Sequence, residues 1–195
     1  MTEIESTSKR RRWWLIILGS AMVLIVLLVG GVVAVGSTLG EDYSSTVSMS
    51  FTQSPDDVWA AIADYELNPV SATMRRETVS LPDKNDAPAW TEDIGSSIIT
   101  VHTVESEKPA RLVRFFEDGV VPMTSRVEYL LEADGDGTNV TMNGQTTIKD
   151  GTWHVPIFRV ILSLTPDAGS LAYLAELRAH LNADANKESS TNDVS

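Results

Sequence analysis

The sequence predicts an α+β protein: an antiparallel sheet of six to seven strands wrapped around a long C-terminal helix, all preceded by one transmembrane helix. Three observations lead to this prediction. A long uncharged apolar segment lies near the N-terminus, a strand that runs into a short capped helix follows it, and several β-rich segments separated by turn residues precede a second helical region. Strands joined by short turns pair antiparallel, and a long helix after such a meander covers the concave face of the sheet.

The transmembrane helix is predicted over residues 13–36. Trp13 to Val35 is a run of 23 uncharged residues, which as a helix would span roughly 34 Å, enough for a hydrocarbon core of about 30 Å. Lys9-Arg10-Arg11-Arg12 precedes the run, and Glu41-Asp42 follows it. The positive-inside rule therefore predicts a single-pass protein of the cell membrane, with residues 1–12 in the cytoplasm and the domain after residue 36 outside.

A cleaved signal peptide is the alternative. Ala34-Val35-Gly36 has the small-x-small spacing of a cleavage site, and Arg11-Arg12 is similar to part of a twin-arginine signal. The apolar run is longer than the 7 to 15 residues typical of a signal-peptide core, which favours an uncleaved anchor that contacts the lipid bilayer.

The charge is unevenly distributed along the chain. The net charge is −12, and because residues 1–40 carry +2, the rest of the chain carries −14. Such an acidic domain repels phosphate backbones, so no nucleic-acid partner is predicted. The sequence has no cysteine, which excludes disulfides and zinc–thiolate sites, and neither a metal nor a cofactor is predicted.

A strand and a short helix open the outer domain. After a linker over residues 37–42, Tyr43 to Gln53 alternates apolar and polar residues, as in a half-buried strand. Ser54 is a good N-cap and Pro55 suits the first helical position. Asn68-Pro69 is expected to end this helix.

The middle of the chain predicts a meander. The turn residues Asp134 and Asp136 lack the further oxygen ligands of a calcium loop, so they indicate a hairpin turn. Residues 82–88 are predicted to form a polar loop. The β-rich segments are Arg75–Leu81, Ser97–Val104, Arg111–Phe116, Ser125–Ala133 and Asn139–Lys149.

The C-terminal region, residues 153–181, is predicted to be helical. Pro166 is expected to break or kink it, and Leu171, Leu174, Leu177 and Leu181 are expected to line one face of the second half. Residues 182–195 are polar and small, which predicts a disordered tail.

Residues 43–181 resemble the polyketide-cyclase/START-related superfamily (SRPBCC), which has the helix-grip fold. The motifs that carry the resemblance are Ser54-Pro55-Asp56-Asp57-Val58-Trp59, Trp90-Thr91-Glu92, the segment Val104 to Val113, and Val155-Pro156-Ile157-Phe158-Arg159 at the start of the last helical region. The family includes lipid carriers, hormone receptors and cyclases, so the resemblance implies a fold and not one activity.

The resemblance implies a cavity between the sheet and the long helix, where a lipophilic small molecule or lipid would bind. The alternative is that the residues on these apolar faces only pack the core. The candidate lining residues are Val101, Val113, Phe115, Val127, Tyr129, Met142, Phe158 and Leu162.

Three titratable residues are candidates for catalysis. His102 could act as an acid or base, although a structural role is the alternative. Glu92 and Glu128 could form an inward carboxylate pair, or they could pair with Arg114 and Arg126 on the outer face.

The sequence therefore favours a membrane-anchored module that binds a lipophilic molecule without catalysis. No Ser-His-Asp order, phosphate loop or nucleotide fingerprint is present in the sequence. The alternatives are a cyclase- or hydrolase-like enzyme, and an envelope protein-interaction module that uses the acidic surface.

Overall fold

The computed structural model describes residues 3–65 and 77–192. These residues form an α+β fold with one curved antiparallel sheet, which confirms the predicted fold class. The elements are α1 (Glu3–Gly36), β1 (Asp42–Phe51), α2 (Pro55–Ala63), β2 (Glu77–Lys84), β3 (Ala87–Asp93), β4 (Ile98–Glu107), β5 (Arg111–Asp118), β6 (Met123–Asp134), β7 (Gly137–Ile148), α3 (Val155–Leu164) and α4 (Ala168–Asn192).

The sheet has seven strands in the order β1-β7-β6-β5-β4-β3-β2. Consecutive strands from β2 to β7 are neighbours, and β1 pairs with β7 at the far edge, so the meander prediction is confirmed. The sequence prediction placed a loop over residues 82–88 and no strand over residues 89–93, so it missed β3 and the end of β2. Asn85 and Asp86 both have positive φ angles, so they make a turn tight enough for pairing to continue on either side.

Helix α2 begins as predicted. The Ser54 hydroxyl accepts a hydrogen bond from the backbone N–H of Asp57, and Pro55 occupies the first turn. The helix ends at Ala63. Asn68-Pro69, the expected helix end, and the start of the strand predicted from Arg75 lie outside the described residues.

Helix α1 contains one segment, Trp13–Gly36, that is long and apolar enough to cross a membrane. The end of this segment packs against α3. Gly36 is buried there, and a side-chain carbon at this position would overlap the carbonyl oxygen of Pro156. Glycine is therefore required for the close approach of the two helices.

The C-terminal region is two helices rather than one. Helix α3 ends at Leu164 and α4 begins at Ala168, so the predicted break at Pro166 is confirmed. Helix α4 continues to Asn192, where a disordered tail was predicted from residue 182. Extending a helix that already exists is much easier than nucleating one, so a polar sequence can follow a helix held by packing.

The main core lies between the inner face of the sheet and helices α2 and α4. Leu174 and Leu177 of α4 are fully buried against it, whereas Leu171, expected on the same face, is exposed. The buried core residues are Val47, Phe51, Val58, Trp59, Ile62, Leu112, Val127, Tyr129, Leu131, Val140, Met142, Tyr173, Leu174 and Leu177.

A second, small core holds α3 against the sheet. Val155 of α3 is buried with Val121 and Ile148, and Met123 and Leu162 pack against these residues. Arg159 adds a polar attachment: it is buried, donates to the carbonyl of Ile148 at 2.8 Å and pairs with Asp150 at 3.0 Å. Helix α3 is therefore fixed to the domain by its inner face.

Candidate functional site: a cavity between the sheet and the C-terminal helix

A cavity of about 290 Å³ lies between the inner face of the sheet and the start of α4. Most of its wall is apolar, and Tyr173 and Gly169 of α4 close it on the helix side. The lining residues are Glu92, Ile99, Phe116, Asp118, Met123, Ser125, Val127, Tyr129, Met142, Gly169 and Tyr173.

Strand register explains why these side chains share one face. Glu92 lies opposite Ile99, and Ile99 lies opposite Asp118, so the three form one row across β3, β4 and β5. Tyr129 lies opposite Met142 in a second row at the other side of the cavity. Directly opposed residues of antiparallel strands point to the same face, so both rows face α4.

A buried polar cluster surrounds Glu92. Glu92 is only 4% exposed and accepts a hydrogen bond from the indole N–H of Trp90 at 2.9 Å. The guanidinium of Arg114 lies over the Trp90 ring, 4.9 Å from its centroid, and donates to the carbonyl of Ala63 at 3.0 Å. Tyr65 stacks on Trp90 with 4.8 Å between ring centroids. The cluster thus connects the cavity wall to the end of α2.

Two tyrosines form the opposite wall. The rings of Tyr129 and Tyr173 are 5.6 Å apart, and both residues are buried. Burial raises the pKa of Tyr129, and it raises the pKa of Tyr173 well above the usual value, so both phenols stay protonated at neutral pH. The hydroxyl of Tyr173 is fully buried and interacts with the side chain of Tyr129. The hydroxyl therefore belongs to the core, while other atoms of Tyr173 line the cavity.

Asp118 organises the loop at one end of the cavity. Its carboxylate accepts hydrogen bonds from the backbone N–H groups of Val120 and Val121, at 2.8 and 2.9 Å, and from the Ser97 hydroxyl at 2.6 Å. The loop between β5 and β6 is consequently held by a residue that also lines the cavity.

Four of the eight predicted lining residues lie on the inner face of the sheet. Val127, Tyr129 and Met142 are on the cavity wall. Val101 is fully buried on the inner face, between Trp90 and Phe116. Whether any of them contacts a ligand stays a prediction.

The remaining predicted lining residues lie away from the cavity wall. Val113 and Phe115 are on the outer face, because they lie opposite Glu128 and Arg126 in the register. Phe158 is 40% exposed on α3, and Leu162 packs against the small core. The β5 sequence is apolar on both faces, so alternation alone did not show which set pointed inward.

The structure separates the three candidate catalytic residues. Glu92 faces the cavity, whereas Glu128 accepts a hydrogen bond from Arg111 at 2.6 Å on the outer face. Glu92 and Glu128 therefore do not form an inward carboxylate pair. His102 lies on the outer face, 5.3 Å from the ring of Phe115, and burial together with the charge of Lys84 lowers its pKa.

Sequence reasoning missed Arg114 and Tyr173. Arg114 was expected on the outer face as a partner for a glutamate, but it is 2% exposed on the inner face. Its alternation with Leu112 and Phe116, both on the core side, was the available signal. Tyr173 precedes the buried Leu174 and lies four residues before Leu177, which is the helical spacing of a core face.

The described residues contain no group of three His, Asp or Glu side chains that could hold a metal ion. The arrangement is suited to binding a small molecule. It offers an apolar surface, the carboxylates of Glu92 and Asp118, and two tyrosines on the opposite wall, which suits a small molecule with an apolar body and a polar group.

Comparisons with known proteins support the fold. The chain matches a protein from Rhizobium loti with 19% identity over 71% of this chain and 96% of that one, with a TM-score of 0.55. It matches a protein from Thermus thermophilus with 11% identity, covering 72% and 98%, with a TM-score of 0.59. No family model and no curated protein matches the chain.

A further similar structure is the di-domain ARO/CYC protein StfQ from the steffimycin biosynthetic pathway. Identity is 12%, coverage is 75% of this chain and 52% of that one, and the TM-score is 0.59. The chain thus spans about half the length of StfQ. At these identities the likeness shows a shared fold and carries no activity with it.

Proposed function

We propose that this protein binds a small lipophilic molecule with one polar group in the cavity, as a domain tethered to the outer surface of the cell membrane by residues 13–36. The observation that carries the proposal is the cavity itself. Its wall is mainly apolar, and Glu92, Asp118 and Ser125 supply a few polar groups on that wall.

Burial of a ligand's apolar surface against this wall would stabilise the complex by roughly 25 cal/mol per Å² of apolar area removed from water. One polar group on the ligand would find a partner among the polar side chains of the wall. Glu92, already bonded to Trp90, would disfavour an anionic ligand group nearby. The ligand class that fits is a neutral or cationic amphipathic small molecule.

The volume of the cavity narrows the class of ligand further. A cavity of about 290 Å³ is at the lower end of the 300–1,000 Å³ that is typical of small-molecule pockets. A ring system or a single short acyl chain fits such a volume, whereas a two-chain phospholipid does not. The fold shared with StfQ, an ARO/CYC protein of the steffimycin biosynthetic pathway, agrees with a small-molecule ligand.

Native mass spectrometry of the gently purified protein tests the binding proposal. A co-purifying hydrophobic molecule is expected. Met142→Trp, which fills the cavity wall, should abolish its retention, whereas Phe115→Trp on the outer face should keep it. Empty protein throughout, or equal retention by the two variants, would contradict the proposal.

A cyclase-type enzyme is the second candidate, and the inward position of Glu92 favours it. A buried carboxylate on a cavity wall, opposite two protonated tyrosines, has the elements of acid–base chemistry on an enolisable substrate. Glu92→Gln keeps the shape and the acceptor for Trp90. Under the enzyme hypothesis the molecule recovered from this variant is the unconverted substrate, which differs in chromatographic retention from the molecule recovered from the original protein. Under the binding hypothesis the two proteins yield the same molecule.

The membrane tether is tested independently of the cavity. The four basic residues at positions 9–12 and the acidic residues after Gly36 support an N-terminus in the cytoplasm. A reporter fused after Ser195 that is active only outside the cytoplasm should therefore show activity. Activity of a reporter that works only in the cytoplasm would reverse the proposed orientation.

A further inference from the structure

Helix α3 has an unusual distribution of side chains. Its only charged residue, Arg159, is buried against the sheet, while the side that faces away from the domain is apolar. Ile161 is 51% exposed and Leu164 is 75% exposed on that side, together with Phe158. Trp153, just before the helix, is 74% exposed.

A helix in water normally shows the opposite arrangement, with its apolar stripe inside and its charges outside. Helix α3 is apolar on both sides: Val155 and Leu162 contribute to the small core, and Ile161 and Leu164 point away from it. A helix that is apolar all round is stable only when both sides are covered. The domain covers one side of α3, so something else covers the other.

The position of α3 identifies what covers its outer side. Helix α3 packs against α1, and the face of α1 formed by Val29, Val32, Val33 and Gly36 is less exposed than its other faces. This spacing of three, four and seven residues is one helical face over the last two turns of the apolar segment. From Val29 to Gly36 is a rise of about 10 Å.

We infer that α3 is an interfacial membrane helix, which buries the face with Phe158, Ile161 and Leu164 in the outer leaflet beside the end of the span. The inference rests on the proposed membrane tether. Interfacial helices lie about 5–10 Å deep in the boundary between head groups and acyl chains, which matches the two turns of α1 that α3 accompanies. Trp153 is suited to the head-group zone at the start of the helix.

Apolar contact, not charge, drives this binding. The chain after residue 40 carries −14, so an anionic membrane surface would repel the domain. Arg159 is engaged with Ile148, Asp150 and Glu41 and does not reach lipid head groups. We therefore expect α3 to insert into neutral bilayers at least as well as into partly anionic ones.

The arrangement brings the membrane close to the cavity. Leu162 of α3 and Met123 pack against the same small core, and Met123 also lines the cavity. The small core therefore connects helix α3 to the cavity wall.

Site-directed spin labelling of the full chain in phosphatidylcholine nanodiscs tests the inference, and the absence of native cysteine allows single labels without background. Ile161→Cys and Leu164→Cys report on α3. Leu24→Cys, inside the apolar segment, is the membrane control, and Val104→Cys, exposed on β4, is the water control. Collision with oxygen, which concentrates in lipid, is compared with collision with a water-soluble nickel chelate.

The expected result is that labels at positions 161, 164 and 24 collide more with oxygen than with the nickel chelate. The label at position 104 should collide more with the nickel chelate. If 161 and 164 favour nickel while 24 favours oxygen, the tether stands and the inference about α3 is wrong. If 24 also favours nickel, the tether and the inference fail together. If 161 and 164 are shielded from both reagents, a protein surface covers α3, which also overturns the inference.

Discussion

The two faces of the sheet use the same residue types for opposite purposes. On the inner face, Arg114 and Glu92 are almost fully buried beside a cavity and an aromatic ring. On the outer face, Arg111 bonds to both Glu105 and Glu128, and Arg126 bonds to Glu105 at 2.7 Å. The inner arginine is held by a carbonyl, an aromatic ring and Tyr129, whereas the outer arginines are held by carboxylates.

This difference shows that a charged side chain in this domain is not necessarily exposed. An outer ion pair keeps access to water, so it contributes little to stability, while a buried guanidinium needs its partners because no water replaces them. The inner face therefore depends on a few specific contacts. The outer face has several ion pairs, each of which water can replace.

Replacing the inner arginine should produce the largest effect. Arg114→Met removes the hydrogen bond to Ala63 and the stacking on Trp90, and we expect the free energy of unfolding to fall by about 2–4 kcal/mol. Arg126→Met on the outer face should change it far less. Urea unfolding of both variants measures the difference, and equal losses would remove the distinction between the two faces.

Removing the buried Tyr173 hydroxyl should have a smaller effect. Tyr173→Phe deletes a fully buried polar atom that interacts with Tyr129, and we expect the free energy of unfolding to fall by about 1 kcal/mol. Tyr43→Phe is the control, because its hydroxyl donates to Gly40 at 2.8 Å at the surface, and this variant should lose less stability. Urea unfolding of both variants measures the difference, and a gain of stability in Tyr173→Phe would show that Tyr129 does not satisfy the hydroxyl.

The smallest expected effect is the loss of stability at acidic pH when the ion pairs of the outer face are disrupted. Hydrogen bonds from Arg126 and Arg111 lower the pKa of Glu105, and those from Arg111 and Asn143 lower the pKa of Glu128. A carboxyl whose pKa is lowered by folding stabilises the protein above the ordinary glutamate pKa, and this contribution is lost as the pH falls through the folded pKa.

Arg111→Gln should therefore reduce the loss of stability between neutral and acidic pH. Thermal unfolding of the original protein and of the variant across this range measures the effect. Arg178→Gln, on α4 away from the network, is the matched control and should leave the acid sensitivity unchanged. An identical pH dependence in Arg111→Gln and the original protein would mean that the ion pairs do not contribute.

Much of the fold was predictable because local signals were strong. The Ser54-Pro55 start of α2, the alternation along β1 and the break at Pro166 all depend on neighbours in sequence. Strand β3 was not predictable in the same way. Its hairpin requires positive φ angles at Asn85 and Asp86, and the polar composition of the turn masked the pairing on either side.

The candidate site was only partly predictable. Val127, Tyr129 and Met142 belong to strands with clear alternation, and all three reach the cavity wall. Val113 and Phe115 belong to β5, where both faces are apolar, and the register with β4 and β6 turned them outward. A strand that is apolar on both faces has no preferred side until its partners are placed.

The sequence by itself determined the apolar segment near the N-terminus, the α+β class and the order of the strands and helices other than β3, because each depends on periodicity and on residues close in sequence. Tertiary structure decided which face received Glu92 and Arg114, where the cavity lies, and that α3 packs on the end of α1. These outcomes depend on strand register and on helix packing between residues far apart in the chain, which local patterns do not contain.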